Sequence, residues 1–397
     1  MKNDIDLFAT EQELPQEHRL MAENLRKYLR THILPWVPEW DKNERCVPIY
    51  MIQDLIKETG LSGVGFSGNY GGHEFVGMDY LMKGVIMREI EAIDSGLRSI
   101  FSVQNSLVMM PIYWYGTEEQ KRKWLPQLAT FDIVGAYCQT EPNAGSDPSA
   151  MTTNAIRDGN EYVLNGSKAW ITNAPVAHLF VVWAKDEQGE IGAYLVPFDN
   201  PDLSVQSENK WALRLSTTGR LTFNDCRIPL ANKLPGASGI GSAFKCLNEA
   251  RYGIAWGSVG ALRSCLEEVI PYASAREQFG KPLTAYDTQR NRIAEAVAEY
   301  NELLLVAHEV ARAGDREGSL GPIRHLVSMA KWQASEKALA HAEQLMRIFG
   351  GSGCTFDCHT SRHARNLHLV WIYEGTGDIH RKLLAEYITG YPSFSRD

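Results

Sequence analysis

Apolar residues recur at helical spacing over the first third of the chain, as in Met21, Leu25, Tyr28, Leu29 and Ile33, and again in Ile52, Leu55 and Ile56. Gly116 and the Thr117-x-x-Gln120 box mark where one helix stops and the next starts. From Ile133 to about Pro229 the period shifts toward two, with short apolar runs at Tyr162 to Leu164, Phe180 to Trp183, Gly192 to Val196 and Leu221 to Phe223. The Asn165-Gly166 pair reads as a hairpin turn between two of these strands. Beyond the Pro235 to Gly239 loop, helical spacing returns through Ala243 to Val269, Arg290 to Ala313, Pro322 to Phe349 and His380 to Tyr387. The pattern predicts an α+β, mostly α fold. It comprises an N-terminal helical domain over 1–132, a middle antiparallel β domain over 133–238 and a C-terminal four-helix bundle domain over 239–397.

Composition narrows the function. A chain of 397 residues with a formal net charge of −8 and no basic stripe argues against nucleic-acid binding. No apolar run reaches the length of about 18 residues that a membrane span needs. The acidic N-terminus has no signal or transit character, which points to the cytoplasm, or to an organelle matrix if a transit peptide has been removed. Seven scattered cysteines fit reduced thiols. Cys354, Cys358, His359 and His363 lie close in sequence, but their spacing is not that of a zinc finger, and no metal site is expected. Gly63-Val-Gly65-Phe-Ser-Gly68 matches a dinucleotide fingerprint, yet no βαβ unit surrounds it, so it reads as a loop.

Two features carry chemistry. Glu374 follows the bulky Trp371, Ile372 and Tyr373 and precedes the permissive Gly375. A carboxylate desolvated on such a turn acquires a pKa suited to a general base, although most Glu-Gly pairs are only turns. Arg98 either faces a ligand carboxylate or pairs with Glu91 or Asp94 on its own helix face.

Six motifs then occur in order over nearly the whole chain. They are Tyr137-Cys-Gln-Thr140-Glu-Pro-Asn-Ala-Gly145-Ser146-Asp147, Gly166-Ser-Lys-Ala-Trp170-Ile-Thr172-Asn173, Asn248-Glu-Ala-Arg251-Tyr-Gly-Ile-Ala-Trp-Gly257, Arg276-Glu-Gln-Phe-Gly280, Phe349-Gly-Gly-Ser-Gly353 and Tyr373-Glu-Gly-Thr376. Together they resemble the acyl-CoA dehydrogenase family. Leu97-Arg98-Ser99-Ile-Phe-Ser102 and Arg362-His-Ala-x-Asn-Leu367 are similar to the family's glutaryl-CoA branch.

The resemblance implies FAD between the β domain and the bundle of a homotetramer. It also implies an acyl-CoA substrate, glutaryl-CoA, and an electron-transferring flavoprotein as partner. Tyr137, Cys138, Gln139, Thr140, Gly145 and Ser146 would run beside the isoalloxazine, with Trp170, Ile171 and Thr172 packed on it. Arg276 would reach a neighbouring subunit's pyrophosphate, with Gln278 and Phe279 near the adenine. Arg347, Ile348, Phe349, Gly350 and Gly351 would form a backbone nest on the same cofactor, and Thr376 would touch it. Glu374 would be the base. In some members that base precedes the arginine matched by Arg251, where this chain has Ala250; its neighbour Glu249 should point away. Arg98, Ser99 and Ser102 would hold the far end of the acyl chain, and Ser146, Asn248, Arg251, Tyr373 and Gly375 would serve the thioester or the loop of the base. Asp287 replaces a usual glutamine, and Gly377 stands where a side chain is more common, which puts FAD affinity and the stiffness of the base's loop in question.

Overall fold

The computed structural model describes residues 5–61, 68–70 and 79–394. Most of the glycine fingerprint at 63–68 lies outside them.

The first third is helical: α1 (Gln16–Tyr28), α2 (Val37–Lys42), α3 (Ile49–Thr59), α4 (Tyr80–Glu91), α5 (Ser95–Ser102), α6 (Met110–Tyr115) and α7 (Glu118–Ala129). The spaced apolar residues are those that go inside, with Leu25, Leu29, Ile33, Ile52 and Leu55 almost wholly buried. Asp79 and Asp94 start α4 and α5 by accepting from the backbone N–H of Met82 at 2.9 Å and of Gly96 at 2.6 Å. The expected capping box is present: Thr117 Oγ1 accepts from Gln120 N, and Gln120 Oε1 accepts from Thr117 N.

Seven strands form the middle sheet: β1 (Gly135–Cys138), β2 (Asn154–Asp158), β3 (Glu161–Thr172), β4 (Leu179–Lys185), β5 (Ile191–Pro197), β6 (Leu203–Ser207) and β7 (Thr218–Pro229). Their order is β1-β4-β2-β3-β7-β6, with β5 also on β4. Pairing is antiparallel except where β4 meets β1 and the start of β2, which run parallel to it. β4 is buried on both faces. Leu179, Val181 and Trp183 join the cluster under α6 and α7, whereas Phe180, Val182 and Ala184 join the core of the sheet. That explains its unbroken apolar run.

The Asn165-Gly166 pair is not a turn. β3 runs straight through it with a bulge against β7, and the β2–β3 turn falls instead at Gly159, where φ is +61°. Gly166 has φ +141°, and a Cβ there would lie 2.7 Å from Thr153 Cα, so the glycine serves close strand packing.

The last third holds α8 (Gly239–Ala275), the ribbon β8 (Glu277–Gln278) and β9 (Lys281–Pro282), α9 (Asp287–Glu317), α10 (Arg324–Met346), α11 (His359–Ile372) and α12 (Gly377–Thr389). Helices α8 to α11 pack on one another, and α12 lies on α10. Helix α11, which the spacing of apolar residues did not mark, follows the turn after Gly350 to Gly353. Glu268 of α8 caps it, accepting from His359 N at 3.1 Å and Thr360 N at 2.7 Å. One hydrophobic cluster joins α1 to α5 with α8 to α11. The N- and C-terminal helices therefore share a core, and the sheet is set against its side.

Candidate active site

Glu374 sits on the turn between α11 and α12 with φ +57°, a conformation that costs a non-glycine residue about 1–3 kcal/mol. Its Oε2 is closed off from solvent and has no hydrogen-bond partner. Burial pushes the carboxyl up to about 7 against the pull of Arg98, Arg251 and Lys331. The burial does not come from Ile372, which is half exposed. It comes from the convergence of α5, α8 and α10 on the turn.

The backbone of the turn is held from two sides. Arg251 Nε of α8 donates to the Glu374 carbonyl at 2.8 Å, and Arg251 Nη1 donates to Asn248 Oδ1 at 3.3 Å. Both side chains thus serve the loop that carries Glu374. Lys331 Nζ of α10 donates to the carbonyls of Trp371 at 3.0 Å and Gly375 at 2.7 Å. Gly375 has φ +109°, and a Cβ on it would lie 3.0 Å from His380 Nε2. Ala250 is fully buried, and Glu249 turns away to Tyr80 Oη at 3.0 Å and Lys83 Nζ at 3.5 Å. At Gly377 a Cβ would lie 2.9 Å from Arg381 Nη1 and 3.2 Å from Trp371 Nε1. The space of the missing side chain is occupied by Trp371, Trp332 and Arg381, which brace the turn from below.

Arg98 is wholly buried and donates from Nε to Glu91 Oε2 at 2.6 Å and from Nη2 to the Tyr373 hydroxyl. The ion pair with Glu91 is therefore made, but it joins the end of α4 to α5 rather than lying on one helix face, and Asp94 is bonded instead by Arg362 and Asn366. Yet Arg98 Nη1 and Ser102 Oγ are buried with no partner. Unmet donors in a closed site are costly unless something else meets them. Ser99 is buried beside them on α5.

The residues expected at the cofactor divide into three groups. On the sheet, the Tyr137 hydroxyl donates to Gln139 Oε1 at 2.7 Å, while the Cys138 thiol and the Ile171 side chain point into the core of the sheet and can offer only main chain. Trp170, at a bulge with φ +61°, is 58% exposed, an apolar ring with an open face beside half-buried Thr140 and Thr172. Gly145 has open space where a Cβ would stand, and Ser146 is exposed.

Arg276, Gln278 and Phe279 form the second group, on the β8–β9 ribbon, where Phe279 is 95% exposed with φ +51°. All three side chains are exposed. In the third group, Ile348 and Phe349 are buried and can offer only main chain, whereas the Arg347 side chain is exposed. Gly350 there has φ +58° and ψ −131°, a conformation essentially reserved for glycine. Thr376 is the N-cap residue of α12. Asp287 is exposed and pairs with Arg290. Among the described residues, no three His, Cys, Asp or Glu gather as a metal site.

Two residues of the site went unread in the sequence. Lys331 falls on the buried stripe of α10 with Val327, Ala334 and Ala338, and a charge in an apolar stripe was the available signal. Gly257 faces the Glu91–Arg98 pair so closely that a Cβ would overlap the Glu91 carboxylate.

Helices, sheet and helices thus surround a carboxylate whose Oε2 is buried without a partner, and the sheet presents an exposed aromatic ring at Trp170. The chain belongs to the acyl-CoA dehydrogenase family: the family's N-terminal domain matches residues 15–132, its middle domain 136–226 and its C-terminal domain 237–389. The mitochondrial short-chain specific acyl-CoA dehydrogenase of Bos taurus is 34% identical over 95% of this chain and 91% of its own length. A glutaryl-CoA dehydrogenase from Mycobacterium smegmatis, solved in complex with FADH2, is 38% identical with a TM-score of 0.93, covering 98% of this chain and 99% of that one. A chain of the structure described as the electron transferring flavoprotein of Acidaminococcus fermentans is 31% identical with a TM-score of 0.88, covering 94% of this chain and 98% of that one. Among the described residues, no helix is long and apolar enough to cross a membrane.

Proposed function

We propose that this protein oxidises glutaryl-CoA at the Cα–Cβ bond and decarboxylates the product to crotonyl-CoA and CO2, as a homotetramer that passes electrons to an electron-transferring flavoprotein. The observation that carries the reading is the buried set of unmet groups: Glu374 Oε2 at one end, Arg98 Nη1 and Ser102 Oγ at the other. One end suits an acidic carbon, and the other suits a terminal carboxylate.

FAD fits the open face of Trp170, the space at Gly145 and the glycine-only backbone at Gly350. Thr172, Ser146 and the main chain of 137–140 and 347–351 would hold it, with Arg276, Gln278 and Phe279 serving a neighbouring subunit's cofactor. When bound, FAD supplies the acceptor for the β hydride, which no side chain can be.

The protein's own part is to hold the thioester and move protons. Glu374 takes the α proton, and Arg251 and Lys331 fix the turn while it does so. Arg98 and Ser102 fix the distal carboxylate, with Tyr373 and Glu91 orienting the guanidinium. Once the double bond is in place, the distal carboxylate leaves as CO2, its electron pair delocalising into the unsaturated thioester. Protonated Glu374 returns the proton at the γ carbon.

A second reading, oxidation of a short monocarboxylic acyl-CoA, is favoured by the bond that already commits Arg98 to Glu91 and by the short-chain relative. A glutaryl-CoA dehydrogenase that stops before decarboxylation is the milder variant of the first reading. Anaerobic mixing with glutaryl-, butyryl- and isovaleryl-CoA separates them. Fast flavin bleaching by glutaryl-CoA with release of CO2 is expected. Bleaching by butyryl-CoA alone would establish the second reading, and bleaching by glutaryl-CoA without CO2 the milder variant.

A further inference from the structure

Helix α10 sends one lysine to the catalytic turn. Lys331 is fully buried, and its two bonds, to the carbonyls of Trp371 and Gly375, bracket Glu374 in sequence and in space. The Trp371 carbonyl is among those that α11 leaves unpaired at its C-terminus. The Gly375 carbonyl is turned back to the same point by its positive φ. A single ammonium, with three donors and no acceptor, therefore closes an arch whose apex is the base.

We propose that Lys331 is the positioning residue of the catalytic turn, holding the arch of residues 371–375 and presenting its ammonium to the Glu374 carboxylate. This rests on reading Glu374 as the base. The groups that face Glu374 are Arg98 of α5, Arg251 of α8, Lys331 of α10, Tyr137 of β1 and the adjacent Tyr373. His380 of α12 faces Lys331 and Arg251, and burial foremost, with those two cations, holds its imidazole down to about 2, so it stays neutral.

Of the three cations, Arg98 is committed to Glu91, and Arg251 holds the main-chain carbonyl of the base through Nε. Lys331 has no carboxylate bonded to it, and its ammonium ties two main-chain carbonyls on either side of the base. Burial pushes its ammonium down to about 7, with Glu374 pulling upward. Carboxylate and ammonium are therefore linked: each is more fully charged when the other is. Removal of the ammonium leaves Glu374 harder to ionise and frees the turn.

The test is flavin reduction in the full-length holoenzyme, followed anaerobically against pH with whichever of the three thioesters bleaches it fastest. Lys331→Met removes charge and donors, Lys331→Gln keeps a donor without charge, and Lys331→Arg keeps the charge. In Met and Gln variants that retain FAD, the pH midpoint should rise by about one unit. The limiting rate of the Met variant should fall by on the order of tenfold, as a displaced base predicts. The Arg variant should bring the midpoint back toward wild type. If the Met variant loses its flavin, the Gln variant decides, because a lysine that merely tied two carbonyls together would leave its midpoint unmoved. An unmoved midpoint in Lys331→Gln overturns the proposal. Near-normal reduction by Glu374→Gln would instead overturn the reading of the base, so the two failures are distinguishable.

Discussion

At Glu374 a strained backbone and an expensive burial coincide. The positive φ and the unpartnered Oε2 both cost stability, and the turn that bears them is held by Arg251 and Lys331. Because burial raises the carboxyl to about 7, the fraction able to accept a proton grows as pH rises through neutrality. The rate of flavin reduction should therefore rise with a midpoint near 7, and a flat profile from pH 6 to about 8 would contradict the assignment. Glu374→Gln should keep its yellow flavin and lose reduction by about 10²- to 10⁴-fold. The same shift has a sign for stability. A carboxyl with a raised folded pKa contributes most when protonated, below its unfolded pKa, and that contribution is lost as pH climbs through about 7. At pH 8 the Gln variant should melt no earlier than wild type, which calorimetry of the holoenzyme can check.

Helix α8 does its work by coming close. Gly257 lies against the Glu91 carboxylate, and Gly260 lies against the main chain of Arg88, 2.9 Å from its carbonyl carbon to a would-be Cβ. A methyl at either place has a different consequence because the neighbours differ in freedom. Gly260→Ala presses on backbone that cannot step aside and should destabilise by about 1–3 kcal/mol, seen as a lower Tm. Gly257→Ala presses on a side chain, which would turn Glu91 and with it Arg98. Its expected mark is a higher KM for the preferred thioester with FAD content unchanged. Equal Tm losses and equal kinetics in the two variants would contradict this division.

Across the whole molecule the N-terminal helices are locked to the bundle by buried charge as well as by apolar packing. Glu89 of α4 is wholly buried and accepts from Arg26 Nε of α1 at 2.9 Å, from Arg88 Nη2 at 2.9 Å and from Arg263 Nη2 of α8 at 2.6 Å. Despite the burial, which pushes the other way, those guanidinium groups hold its carboxyl well below the usual range. Glu89→Gln would leave arginines facing each other and should cost about 3–5 kcal/mol in denaturant unfolding. The wild-type contribution is present above the ordinary carboxylate pKa and is lost as pH falls toward the depressed value, so the gap between variant and wild type should narrow in acid. The sequence by itself determined the order of helical, sheet and helical segments, because periodicity of burial is written locally, and it determined the turn that bears Glu374, because a glutamate before glycine at that place is a short motif. It misjudged Asn165-Gly166 because a glycine needed for close packing and a glycine needed for a turn look alike along a chain. Tertiary structure alone decided that Arg98 bonds Tyr373, that Lys331 reaches the turn of Glu374, and that the two helical parts share one core. Each of these joins residues far apart in sequence, and the burial that sets their energies exists only once the chain has closed around them.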